Sequence, residues 1–170
     1  MNVAGQTIHS FFRFRTDITL QKVKKANPNS EAAKLYRSLD AIVIDEISMV
    51  RADLLDCVDK AMRLNGKDKD RPFGGAQMIF FGDLYQLPPV VTSAEREIFK
   101  LHYPSPYFFS ARAMAGLDLE FVELDKIYRQ SDPAFIGVLN AIRNNTATAR
   151  DLALVNSRLE PGFIPPKKEF

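Results

Sequence analysis

Cysteine is nearly absent from this sequence. The single one, Cys57, excludes an internal disulfide, and with two histidines beside it the chain cannot build a structural zinc site. One cysteine fits a reducing compartment. Long apolar runs are missing as well, and none approaches the ~18 residues that would span a bilayer. The N-terminus, MNVAGQTIHSFF, has no basic segment followed by a long apolar one, so it is no secretory signal. It reads as though it begins mid-element. A charge surplus is also lacking. Lys and Arg total 23 against 21 Asp and Glu, a net charge of +2, so an anionic partner would have to be held by a local patch. What is present is a chain of 170 residues, 46% hydrophobic and 26% charged, enough for one domain with a core.

Strand and helix patterns alternate along it. Val3 to Gly5 reads as a frayed strand end, Thr7 to Phe12 as the first turns of a helix, and Glu31 to Leu39 as a short helix. Ala41 to Ile44 is wholly apolar and rich in β-branched residues, which predicts a strand covered on both faces. Asp53 to Leu64 puts Leu54, Leu55, Val58, Ala61 and Met62 on one helical stripe, with Cys57 packed near it. After a polar loop, NGKDKDRPFGG, Gln77 to Phe81 predicts a second buried strand, stopped by Gly82-Asp83. Pro88-Pro89 forbids helix or central strand there. Ala94 to Leu101 predicts a helix and the alternating LEFVEL, Leu119 to Leu124, a strand. Ser131 or Asp132 caps a helix with Pro133 at its first position, running to about Arg143, and Thr148 with Asp151 opens another. The pattern predicts an α/β fold with a mostly parallel sheet flanked by helices. Ligands of such sheets sit beyond the carboxyl ends of the strands, where Asp45-Glu46 and Gly82-Asp83 both fall.

An aspartate after a buried strand can hold Mg²⁺, and a neighbouring glutamate can orient and deprotonate a water. Taken alone, Asp45 or Glu46 also reads as an acid capping the following helix. In GDLYQLPPVV, Gly82 to Val91, the amide of Gln86 can donate to a γ-phosphate and orient a water, and the rigid Pro-Pro can carry that report onward as a block. Taken alone, the segment also reads as a turn with a proline stop.

IDEISM, then PFGGAQMIFFGDLYQLPPV, then LDKIYRQ resemble, in order and spacing, motifs II, III and IV of the PIF-family DNA helicases, relatives of RecD in superfamily one. AGQTIHSFF resembles the family's motif Ia, and PFGGAQ lies where the family carries a signature segment. The resemblance covers about residues 4–160. It implies a RecA-like P-loop NTPase domain belonging to a motor that moves 5′ to 3′ on single-stranded DNA, uses ATP and Mg²⁺, and works on DNA junctions in repair, recombination and telomere maintenance. It implies that Asp45 holds Mg²⁺ with Glu46 beside it, that Glu46 is the general base, that Gln86 senses the γ-phosphate, and that Arg129 places a guanidinium there. It implies that Thr7, His9 and Ser10 line the DNA path. Without the resemblance Arg129 is a surface arginine and His9 a capping or packing histidine. Phe11, Phe12 and Phe14, beside Arg13 and Arg15, read as stacking platforms or as core, with core preferred for at least two of them. Lys67, Lys69 and Arg71 are interleaved with Asp68 and Asp70, which halve their field.

The phosphate-gripping motif G-x-x-x-x-G-K-[ST] does not occur. The only Gly-Lys, Gly66-Lys67, is followed by Asp68. The expectation is therefore a partial first motor domain over 1–160, lacking the P-loop and first strand, with 161–170 a linker or cut end before a second motor domain. Such a piece alone would not hydrolyse ATP at a useful rate. A monomer without membrane attachment is expected, cytoplasmic or nucleoid-associated in a bacterium, nuclear or mitochondrial in a eukaryote. Two rivals stand beside this reading. One is a degenerate, non-catalytic remnant that only binds DNA or a partner. The other is a metal-dependent nuclease using Asp45, Glu46 and Asp83.

Overall fold

The computed structural model describes residues 5–126, 128 and 130–163. The chain divides into two compact units, Met1–Leu119 and Glu120–Phe170. The described regular elements of the first are α1 (Ile8–Phe12), α2 (Glu31–Ser38), β1 (Ala41–Ile44), α3 (Ala52–Asn65), β2 (Gln77–Phe80) and α4 (Ser93–Lys100), joined by short 3₁₀ turns. Those of the second are α5 (Pro133–Arg143) and α6 (Ala149–Asn156).

β1 and β2 pair in parallel, Ala41 opposite Gln77 and Ile44 opposite Phe80. Parallel strands need a long crossover, and α3 supplies it. Its apolar stripe makes it the centre of the core: Ala52, Leu55, Cys57, Val58, Ala61 and Met62 are all buried. Burying each larger side chain of this kind contributes roughly 1.5–3 kcal/mol. Leu54, expected on the stripe, lies at its edge and is half-buried. Burial first, then the carboxylates of Asp53 and Asp56, push the Cys57 thiol up to about 12. The stripe also carries one acid inward. Asp56 is buried and accepts hydrogen bonds from the Tyr103 hydroxyl (2.8 Å) and the Ala113 N–H (2.8 Å), which pins the 103–113 segment onto the helix.

The loop after α3 is more than a polar connector. Phe73, Gly74 and Gly75 are all left-handed, with φ of 50°, 65° and 80°. The Phe73 side chain is buried, and its N–H donates to Asp59 (2.6 Å), whose carboxylate also grips Arg63 (2.8 Å). Gly66 and Gly74 press on the last turn of α3. A Cβ on Gly66 would lie 2.7 Å from the Met62 carbonyl oxygen, and one on Gly74 would overlap the same atom. Gly66 thus serves helix closure.

Three expectations are corrected here. Gln77 to Phe81, expected as a buried strand, has Gln77 exposed and Met78, Ile79 and Phe80 half-buried, while Phe81 lies past the strand end and is exposed. The apolar run of β1 predicts cover on both faces, yet Val43 is 58% exposed and only the face with Ile42 and Ile44 packs inward. LEFVEL is not a strand: residues 119–124 have no regular structure, and Phe121 and Leu124 are exposed. Alternation makes a segment eligible for a sheet, but a strand exists only where a neighbour accepts its hydrogen bonds. In the second unit the caps act as the sequence predicts. Asp132 accepts from the N–H groups of Ala134 and Phe135 ahead of Pro133. Thr148 and Asp151 form a capping box. Val3 and Ala4, and residues 164–170 of the tail, lie outside the described residues.

Candidate active site at the carboxyl ends of the strands

Hydrogen bonding between the two chain segments continues past the strand ends. The Phe81 N–H donates to the Ile44 carbonyl (2.9 Å), and the Ile47 N–H donates to the Phe81 carbonyl (2.9 Å). This brings Asp45-Glu46 and Gly82-Asp83 side by side at the carboxyl ends of the strands, as the alternating pattern predicts for neighbouring strands. Gly82 makes the approach close. A Cβ there would sit 2.8 Å from Ile47 Cγ2 and 3.2 Å from the backbone nitrogens of both Ile47 and Ser48.

Asp45 and Glu46 are both exposed although the strand behind them is apolar. Asp45 Oδ1 accepts the Glu46 N–H (2.9 Å). Glu46 is left-handed, φ 52° and ψ 43°, a conformation that costs a residue with a Cβ about 1–3 kcal/mol. That turn reverses the chain within one residue of the strand, and the 3₁₀ turn Ile47–Met49 begins directly after it. Behind it, the Ser48 hydroxyl is buried and has no hydrogen-bond partner among the described residues.

Asp83 organises the second loop. Its carboxylate accepts the Tyr85 N–H (3.0 Å), and its carbonyl accepts the Gln86 N–H (3.0 Å). The Gln86 amide nitrogen lies 3.4 Å from Asp83 Oδ2. Gln86 is exposed at the tip of this Asx turn, while Pro89 behind it is buried. The Asp-x-x-Gln spacing is a turn signal available in the sequence. The role of Asp83 as the holder of Gln86 is the feature that sequence reasoning missed.

The other predicted residues lie elsewhere. Thr7 caps α1, its hydroxyl accepting the Ser10 N–H (3.1 Å). The Ser10 hydroxyl donates to Gln6 (3.3 Å) and stays exposed. His9 meets the edge of the Phe14 ring at 6.5 Å, a packing contact. Phe12 is buried and stacks on both Phe14 and Tyr36, and Phe11 and Phe14 pack against the same core, so none of the three offers a free stacking face built for bases. Arg129 lies outside the described residues.

No group of three or more His, Cys, Asp or Glu is placed to hold a metal among the described residues. That donor set fits Mg²⁺ carried by a nucleotide, since Mg²⁺ keeps several waters and takes one or two carboxylates plus phosphate oxygens. It does not make the carboxylate cluster that a two-metal nuclease would need from Asp45, Glu46 and Asp83. No helix among the described residues is long and apolar enough to cross a membrane.

Residues 1–150 match the family model of PIF1-like helicases. The ATP-dependent DNA helicase PIF1 of Candida albicans is 33% identical over 96% of this chain and 19% of its own length. The human protein of the same name is 38% identical over 84% of this chain and 21% of its own length. Among solved structures, the Bacteroides Pif1 helicase in complex with ADP-AlF3 and single-stranded DNA superposes with a TM-score of 0.84 at 41% identity. That match covers 94% of this chain and 37% of that one. The Candida albicans Pif1 helicase gives a TM-score of 0.75 at 30% identity, covering 95% and 35%. The chain spans about a fifth of the length of the curated relatives it matches. By sequence and by fold, the chain belongs to the PIF1-like helicase family.

Proposed function

We propose that this chain supplies the nucleotide-facing wall of the first motor domain of an ATP-dependent 5′-to-3′ DNA helicase. The observation that carries this is the juxtaposition, permitted by Gly82, of an exposed Asp-Glu pair and a glutamine-tipped turn at the carboxyl ends of paired parallel strands. That end of the sheet is where open α/β folds bind their ligands. In the reading supported here Asp45 holds Mg²⁺ on the nucleotide, with Glu46 beside it. When bound, that ion offsets charge on the phosphate oxygens. Glu46 takes the proton of the attacking water on its carboxylate, and the left-handed turn aims it out of the strand line. Gln86 donates its amide to the γ-phosphate end, with Asp83 fixing the turn that presents it. Arg129 adds a guanidinium to the same phosphate. Thr7, His9 and Ser10 face DNA. His9 keeps its ring against Phe14, and Thr7 spends its hydroxyl on the α1 cap, so Ser10 has the hydroxyl most open to a phosphate. Single-stranded DNA and DNA junctions are the substrates, and the working protein is a monomer.

The test is single-stranded-DNA-stimulated ATP hydrolysis by the full-length gene product and its Glu46→Gln variant. Loss of the general base should lower kcat on the order of 10²-fold or more while nucleotide binding persists. An unchanged kcat would refute the assignment. The 170-residue chain alone should show no turnover near ~1 s⁻¹, the lower end for intact enzymes.

A further inference from the structure

The two site loops and the segments leading from them form a closed ring. From Glu46 the chain runs five residues to Arg51, at the entrance of α3. From Gln86 it runs six residues, through Pro88-Pro89, to Thr92, the cap of α4. One tie closes the ring at the strands, where Ile47 N–H meets the Phe81 carbonyl. The second tie is Arg51. Its Nε and Nη2 take both oxygens of Asp53 (3.0 and 2.8 Å), its Nη1 takes Glu95 (3.0 Å), and its guanidinium carbon sits 5.2 Å over the Phe99 ring. The other oxygen of Glu95 accepts the Thr92 hydroxyl (2.6 Å) and N–H (3.2 Å). One carboxylate thus joins the first turn of α4 to the first turn of α3.

We propose that Arg51 and Glu95 are a positioning pair for Gln86, setting its place relative to Glu46. This rests on the reading of Gln86 as the phosphate donor. The physical reason is mechanical. Six residues reach at most about 20 Å, and two fixed proline φ angles remove much of that slack. With both ends anchored, the turn carrying Gln86 has few positions open to it. With the Arg51 tie cut, the far side of the turn keeps the apolar packing of Pro89, Val91 and Phe99, which fixes direction less closely than a forked ion pair does. The fork on Asp53 fixes the guanidinium plane, so the direction toward Glu95 is set as well as the distance.

The experiment has two arms. In the first, amide hydrogen exchange is followed in this chain for Glu95→Gln, Arg51→Lys and the control Lys100→Gln, which breaks an ion pair to Glu97 on the same helix. Exchange at the Tyr85 and Gln86 amides, whose N–H groups bond Asp83 within the turn, should rise roughly tenfold in the first two and not in the control. The Ile47 and Phe81 amides should stay protected in all three. Unchanged exchange at the Tyr85 and Gln86 amides would overturn the proposal. In the second arm, the same variants of the full-length gene product should lose about three- to tenfold in kcat for ATP with KM held within about twofold. Faster exchange with unaltered kcat would also overturn it. A wild-type protein without ATPase would instead refute the proposed function, and the exchange arm would still decide whether the tie holds the loop.

Discussion

Replacing Gly82 with alanine asks whether the two site loops need to touch. The added Cβ would meet Ile47 Cγ2 at 2.8 Å and the backbone nitrogens of Ile47 and Ser48 at 3.2 Å. Ile47 is buried and its N–H holds the Phe81 carbonyl, so neither side chain nor backbone can retreat without loss. Overpacking of this kind costs about 1–3 kcal/mol, and a stretched backbone hydrogen bond adds up to ~1 kcal/mol. The sum, about 1–4 kcal/mol, should lower the melting temperature of the unit by roughly 4–16 °C at ~4 °C per kcal/mol. Gly137→Ala, in α5 with nothing within 4 Å of its Cβ, should be neutral or stabilising by about 0.5–1 kcal/mol. Ile47→Leu removes the methyl in the way, so the double variant should recover part of the loss in a double-mutant cycle. Thermal unfolding followed by circular dichroism, with exchange at the Ile47 and Phe81 amides, reads all of these. A Gly82→Ala melting temperature within ~1 °C of wild type would refute the argument that close contact between the loops requires glycine.

Glu46→Gly should remove the cost of a left-handed residue, raising stability by about 0.5–1 kcal/mol in chemical unfolding while abolishing ATP hydrolysis in the full-length gene product. Loss of stability in that variant would count against the strained turn. Ser48→Ala should leave the melting temperature unchanged or raise it, since the buried hydroxyl has no partner among the described residues and its desolvation costs ~1 kcal/mol or more. Glu95 is held down to about 2, by the Thr92 hydroxyl first and by Arg51 next. A depressed folded-state value contributes stability above the unfolded value near 4.5 and loses it as the pH falls through that window toward 2. The melting temperature should therefore fall between about pH 5 and pH 2, and Glu95→Gln should make that fall shallower. An identical slope in the variant would exclude this group as a contributor.

Local chemistry was legible where it is written within a few neighbouring residues. The Asp132 cap before Pro133, the Thr148–Asp151 box and the apolar stripe of α3 act as their spacing predicts, because a helix is closed by groups three and four positions apart. Both strands on which the site hangs were legible as short apolar runs, the first of them rich in β-branched residues, and so was the placing of Asp45, Glu46 and Gln86 beyond their carboxyl ends. The LEFVEL segment shows the limit, since a strand depends on a partner its own residues do not specify. Val43 shows it again: hydrophobicity says that a face seeks cover, and only the packed chain says whether cover is there.

The sequence by itself determined the inventory of the site, an adjacent acid pair and a glutamine in a proline-stopped turn, and the family to which those residues belong. Only the tertiary structure decided how the inventory is held. Gly82 earns its place by a contact with Ile47 and Ser48, 35 and 34 positions away, and the Asp59 that fixes Phe73 lies across a whole loop. The guanidinium of Arg51 finds Glu95 across 44 positions. Contacts of that separation exist only after the parallel strands have paired across their crossover helix, since chain connectivity alone brings no such atoms together.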